Sequence, residues 1–211
     1  KSMAGFFKKV KSEAGTAFYY YDYKSGEYLP ATRPKFASVE AAKSIDDPAQ
    51  RLQTLLAATD KGALFAWRNL RDTLIYTINR IPEIADDIVN VDNAMKWGFN
   101  WELGPFEMLD AIGVSAFVAR AEADGMAVPA SLKGVESFYK FEAGKNYYYC
   151  LQAKSYREVP QAPTRLSLAL LKKNNRVVEK NSGASVIDLG DGVFCLEFHT
   201  KMNAIGNEIL A

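Results

Sequence analysis

Glu107 and Asp110 stand three residues apart in a helix-type stretch, a spacing that sets both carboxylates on one face. Such a pair could divide general acid and general base work between them. The competing reading is structural, in which each carboxylate pairs with a nearby Lys or Arg or caps an adjoining turn, and it is the favoured one. The other reactive residue types give less. His199 is the single histidine and lies at a strand end, beside Glu197 by alternation. A Ser-His-Asp or Cys-His site needs partners that this spacing does not supply. Cys150 and Cys195 sit in strand-like runs, without the helix-start or CxxC setting that activates a thiol, and read as small apolar residues. No His or Cys pair has metal-ligand spacing. There is no GxGxxG or phosphate loop, and Gly190-Asp191-Gly192 reads as a turn. The alternating aromatics Trp97, Phe99 and Trp101 could form a ligand platform, but a hydrophobic corner between two packed helices is the simpler expectation.

Glu107, Asp110 and the three aromatics lie in Asp92 to Gly113, which predicts a helix ending at Gly98, an aromatic turn, and a second helix from Phe106 to Ile112. Pro105 suits the first turn, where its missing N–H has no partner to lose, and Gly113 suits the position past the end. Helical pattern runs from about Ser38 to Asp124. Asp46-Asp47-Pro48 announces a helix to Ala58 with Leu52, Leu55 and Leu56 on one face. The longest helix is expected over Gly62 to Ile81, with Asp86 or Asn90 capping the next, and Ser115 to Ala123 forming the last. Upstream, Phe18 to Tyr23 and Tyr28-Leu29 flank a Ser-Gly turn as a β-hairpin. Downstream of Pro129 the strand candidates are Ser137–Phe141, Tyr147–Ala153, Leu166–Leu171, Arg176–Lys180, Ala184–Leu189 and Val193–Thr200, the last two forming a hairpin. A helical pattern resumes at Asn203 and breaks off at Ala211. That ending, with the absence of an initiator Met, suggests a piece of a longer protein.

The formal net charge of +1, with 48% hydrophobic and 24% charged residues, describes an ordinary globular chain and argues against a nucleic-acid partner. Lys8-Lys9-Val10-Lys11 and Lys172-Lys173 read as solvated loop charges. No apolar run approaches the ~18 residues of a membrane span. Lys1 to Val10 lacks the apolar core of a secretory signal. Two cysteines are no disulfide framework, so a reducing cytoplasm is expected.

The elbow resembles the C-terminal helical domain of the 3-hydroxyacyl-CoA dehydrogenases, which carry a run like D-x-A-M-x-x-G, an aromatic bend, and G-P-F-E-L-x-D-x-x-G. Asp92, Ala94, Met95, Gly98, Gly104, Pro105, Phe106, Glu107, Asp110 and Gly113 match it. Asn100 and Glu102 stand where Gly and Pro are usual. Lys1 to Phe7 looks like the tail closing a preceding copy of that domain. Val186 to Val193 followed by Lys201-Met202-Asn203-Ala204-Ile205 looks like the start of the crotonase, or enoyl-CoA hydratase, fold.

The resemblance implies an α+β chain, mainly α, built on a 6-phosphogluconate dehydrogenase C-terminal-like helical domain with β-hairpin flanks and an incomplete crotonase start. It implies four parts: the tail of a preceding repeat with hairpin and linker over 1–35, the helical domain over 36–135, a β-rich linker region over 136–183, and a truncated crotonase-like start over 184–211. The parent would oxidise 3-hydroxyacyl-CoA with NAD and hydrate enoyl-CoA. Its NAD and catalytic His-Glu pair would lie on a Rossmann domain outside this segment. Asn79-Arg80 spells a pair found early in the family's domain, but too late relative to Asp92 to take over a role. No catalytic, cofactor-binding or metal-ligating residue is therefore expected here. Met202 and Ala204 are the expected neighbours of CoA. The implied partners are the acyl-CoA substrate, the Rossmann and crotonase domains of the same chain, and a second copy in a homodimer. The alternative is a degenerate repeat serving only dimerisation or interdomain contact.

Overall fold

Four helix starts are written in the sequence as short acidic residues, and three are read locally. The computed structural model describes residues 5–12, 15–162 and 164–210. Helix α1 spans Ala37–Lys43, α2 Pro48–Ala57, α3 Lys61–Asn79 and α4 Ile88–Phe99. Asp47 accepts from Gln50 N–H at 2.7 Å and caps α2, whose first residue is Pro48. Asp60 caps α3 through Ala63 N–H at 2.9 Å, and also accepts from Ser38 N–H and Oγ, tying α1 to α3. Those donors hold the Asp60 carboxyl below the usual range. The cap of α4 is Asp87, which accepts from Asn90 N–H at 2.8 Å, rather than the expected Asp86 or Asn90. The fourth start, that of α5 (Pro105–Ile112), is read from a distance, by Asp92. Helix α6 follows over Val114–Ala123.

Among the described residues nine strands form three antiparallel sheets, in the orders β1-β2-β3, β4-β5-β6 and β7-β8-β9. The first comprises Phe7–Ser12, Gly15–Asp22 and Glu27–Pro30, and includes the expected hairpin, with Tyr21 opposite Tyr28. Lys8, Lys9 and Lys11 stand on its edge strand, not in a loop. Lysines there discourage pairing with another chain. The second sheet comprises Tyr139–Glu142, Lys145–Cys150 and Ser155–Glu158. The third comprises Val177–Lys180, Ala184–Gly190 and Val193–Phe198. The β8-β9 hairpin turns through Asp191 and Gly192, both at positive φ (52° and 76°), as a two-residue turn requires.

Leu166–Leu171, expected as a strand, belongs instead to helix α7, Leu168–Lys173. Ser167 caps it through Leu170 N–H, and Leu-Ala-Leu-Leu-Lys-Lys is a run of strong helix formers. Lys172 and Lys173 thus lie in its last turn, where they complement the helix dipole. Past Asn203 the helical pattern yields one turn, α8 over Asn207–Leu210. The tail-like opening lies partly outside the described residues, as does Ala211.

The core joins the helices to the second sheet. Trp67, Leu74 and Ile78 of α3, Phe106 and Leu109 of α5, and Phe117 of α6 are buried with Phe138, Tyr148 and Cys150. The Phe106 and Phe138 rings meet edge to face, centroids 4.9 Å apart. An α+β architecture results. Among the described residues no helix is long and apolar enough to cross a membrane.

Candidate functional site

Helix α4 turns its apolar stripe, Ile88 and Val91, into the core, and Asp92 lies on the same buried side with 1% of its surface exposed. The chain then leaves α4 through Asn100 in the left-handed region (φ 55°) and returns at Gly104. Gly104 is the N-cap of α5 and has no side chain to offer. Asp92 supplies what is missing: its Oδ1 accepts from Phe106 N–H at 2.8 Å and its Oδ2 from Glu107 N–H at 3.2 Å. Glu107 reaches back to Gly104 N–H at 2.8 Å. Three of the orphan donors at the start of α5 are thereby satisfied, two by a residue of another helix. A side chain at Gly104 would occupy the space of Asp92, its Cβ falling 2.3 Å from Asp92 Cβ.

The network continues into the second sheet. Tyr139 donates its hydroxyl to Asp92 Oδ2 at 2.7 Å. Asp110 accepts from Phe138 N–H at 2.6 Å and Tyr139 N–H at 2.8 Å, latching the start of β4 to α5. Lys96 of α4 pairs with Glu107 at 2.6 Å. Burial pushes the Asp92 carboxyl up to about 7, against the donors Phe106 N–H and Tyr139 O–H, with the Glu107 charge adding to the rise. Burial also raises Asp110, opposed by its two backbone donors. Burial and then the Asp92 charge raise the Tyr139 phenol, which therefore keeps the proton it donates to Asp92.

Glu107, Asp110 and Tyr139 line a cleft of about 470 Å³ together with Lys96, Lys140 and Lys173. A shifted carboxyl beside a cleft is a usual sign of a catalytic site. Geometry rules for the structural reading here. Asp92 is sealed and both its oxygens are engaged. Glu107 is neutralised by Lys96, and Asp110 is spent on two amides. In this arrangement Glu107 serves an ion pair and a cap, and Asp110 serves as the acceptor of two amides. Sequence reasoning matched Asp92 to the motif but gave it no role. The available signal was a carboxylate four residues after Ile88, on the apolar stripe of α4, with Gly-Pro to follow.

The other sequence candidates fall elsewhere. Trp97 and Phe99 are 72% and 71% exposed, so they do not form the expected packed corner; Trp101 alone of the three is half-buried. Trp97 lies on the outer side of α4, away from the stripe that holds Asp92, and Phe99 is the last residue of the helix. His199 follows β9, with Nε2 3.3 Å from Glu197 Oε2, an oxygen it shares with Lys172. Cys150 is a buried free thiol and Cys195 a half-buried one. Met202 and Ala204 are exposed, in the turns beyond the third sheet, and Ala204 C=O accepts from Thr200 Oγ1 at 2.7 Å. Among the described residues no cluster of His, Cys, Asp and Glu could hold a metal ion.

The comparisons give this elbow a context. A Bacillus subtilis protein named probable 3-hydroxyacyl-CoA dehydrogenase is 41% identical over 215 residues, covering 100% of this chain and 26% of that protein. The chain is similar, end to end, to one part of that dehydrogenase. A Rickettsia felis protein named putative fatty acid oxidation complex trifunctional enzyme is 22% identical over 175 residues, covering 82% of this chain and 21% of its own length. A Rickettsia prowazekii protein of the same name is 22% identical over 176 residues, with the same coverage. The chain thus spans about a quarter of the length of the curated relatives it matches. No family model and no solved structure matches it. The motif residues Asp92, Gly104, Glu107 and Asp110 are the ones that cap α5 and latch β4.

Proposed function

We propose that this chain is a non-catalytic segment of a fatty-acid β-oxidation protein that oxidises 3-hydroxyacyl-CoA with NAD and hydrates enoyl-CoA. The observation that carries the reading is the end-to-end similarity to the probable 3-hydroxyacyl-CoA dehydrogenase. Within it, residues 36–135 serve as a helical domain that helps cover the substrate and support domain contacts. Residues 184–211 begin a crotonase-like domain in which Met202 and Ala204 border the CoA. The described residues do not fit the dinucleotide. Gly190-Asp191-Gly192 joins two antiparallel strands, so it sets no glycine-rich turn at a helix start to receive a pyrophosphate. NAD belongs to another part of the parent. An NADH-linked assay with acetoacetyl-CoA tests the assignment: the parent consumes NADH and the 211-residue chain does not. A rate with the chain alone, or none with the parent, overturns it.

The exposure of Trp97 and Phe99 favours a second reading, a module for dimerisation or interdomain contact alone. It is distinguished by the parent carrying W97A and F99A, which would then change its assembly state while KM for acyl-CoA holds.

A further inference from the structure

The first sheet gives nothing to the core, for none of its described residues is buried. Its register sets Lys11 opposite Thr16, Lys9 opposite Phe18, Tyr20 between Phe7 and Leu29, and Asp22 opposite Glu27, all on one face. The Lys9 ammonium lies 5.8 Å from the centre of the Phe18 ring, on that same side. Read along the strands, this face runs from two cations through an aromatic middle to two anions. Phe7, Phe18 and Tyr20 are 72%, 49% and 38% exposed. The Ser25 hydroxyl and the Lys24 and Ser25 N–H groups hold the Asp22 carboxyl below its usual range, so it stays charged. Among the described residues no ion pair engages Lys9, Lys11, Asp22 or Glu27. The opposite face, with Tyr19, Tyr21 and Tyr28, has Lys8 as its one charge among the described residues and lacks this order.

A face ordered in this way matches a second copy of itself. Lys11 and Glu27 stand at diagonally opposite corners, and a two-fold axis through the centre of the face carries each onto the other. Opposite signs then meet at both ends, and Phe18 and Tyr20 of the two copies meet in the middle, out of water. The lysines of β1 blunt its edge against strand pairing, which leaves the face as the contact. Three strands about 4.8 Å apart and about 27 Å long offer roughly 400 Å² a copy, a small interface and a weak one. We propose that two copies of this chain dimerise by stacking their first sheets face to face, with Phe18 and Tyr20 at the centre and Lys11 against Glu27 at each end. The inference does not rest on the proposed function.

The test is sedimentation equilibrium of the 211-residue chain from about 1 to about 500 µM, the range a small interface calls for. The chain passes from monomer to dimer. Lys11→Glu and Glu27→Lys each weaken the dimer about tenfold, since each reverses two symmetric contacts at once. The double variant K11E/E27K restores it to within about threefold, because both signs are exchanged together. Phe18→Ser removes the centre and abolishes the dimer; if that variant fails to fold, the charge exchange still decides. A chain that stays monomeric throughout overturns the proposal, as does a double variant no stronger than the single ones. A dimer kept in Phe18→Ser and lost in W97A/F99A overturns it in favour of the exposed end of α4. A monomeric parent in which Phe18 is shielded from hydroxyl-radical labelling overturns it too, and makes another part of the parent the occupant. None of these results alters the NADH assay, so the two readings fail separately.

Discussion

Gly104→Ala adds one methyl group where the N-cap of α5 sits against Asp92 of α4. The backbone at Gly104 (φ −75°, ψ 166°) is open to any residue, so the substitution brings no conformational strain of its own. The collision is the whole effect. The new Cβ would lie 2.3 Å from Asp92 Cβ, 2.4 Å from Cγ and 2.5 Å from Oδ1. Asp92 is buried and cannot swing into solvent, so either the helices part or the carboxylate leaves Phe106 and Glu107 N–H. Overpacking costs about 1–3 kcal/mol. A lost cap adds about 1 kcal/mol. The expected loss is therefore about 3 kcal/mol, read by urea unfolding followed by far-UV circular dichroism at pH 6. A double-mutant cycle isolates the cause. In an Asp92→Gly background the obstructing Cβ and carboxylate are both gone, and Gly104→Ala becomes neutral or slightly stabilising, since Ala restricts the unfolded chain. A loss under about 0.5 kcal/mol for the single variant, or an equal loss in both backgrounds, refutes the reasoning.

Two further outcomes follow from the same network. The folded-state carboxyl of Asp92 titrates near 7 rather than 3.8, so the fold favours its protonated form; the contribution is fully present below pH 3.8 and is lost as pH rises through about 7. Its size is on the order of 4 kcal/mol at most. Unfolding at pH 5 and pH 8 should show lower stability at pH 8, and Asp92→Asn should reduce the difference, with Asp110, also raised by burial, acting in the same sense; Asp60 and Asp124, held below the usual range, act in the opposite sense only at lower pH. Asp110→Ala leaves Phe138 and Tyr139 N–H without an acceptor and should cost about 2–4 kcal/mol, with a thermal melt as the check and an unchanged midpoint as the refutation.

What the sequence displayed was local. Asp47-Pro48 marks the start of α2 because cap and first-turn proline are neighbours, and the Asp191-Gly192 hairpin follows from backbone freedom within two residues. Motif matching also reached Asp92, Gly104, Glu107 and Asp110, but it did not say what they do. Their partners lie far away in the chain: Tyr139 is 47 positions beyond Asp92, and Phe138 is 28 beyond Asp110. No spacing rule joins a helix to a strand over such distances. The aromatic turn misled for a related reason. Trp97 and Phe99 share a segment with buried residues, yet the period of α4 carries Trp97 to its opposite side and Phe99 stands at the helix's last position, where hydrophobicity is no guide to burial. In α7 a run of leucines suited strand or helix equally, and the Ser167 cap decided it.

The hold of α5 on the second sheet also fixes where this chain can be divided. A fragment ended anywhere between Ala123 and Phe138 would keep every helix from α1 to α6 and still be incomplete. Phe106 would lose the ring that covers it, Asp110 both of its donors, and Asp92 its phenol. The smallest version of the helical part able to satisfy its own interior carries the three-stranded sheet with it, through Glu158.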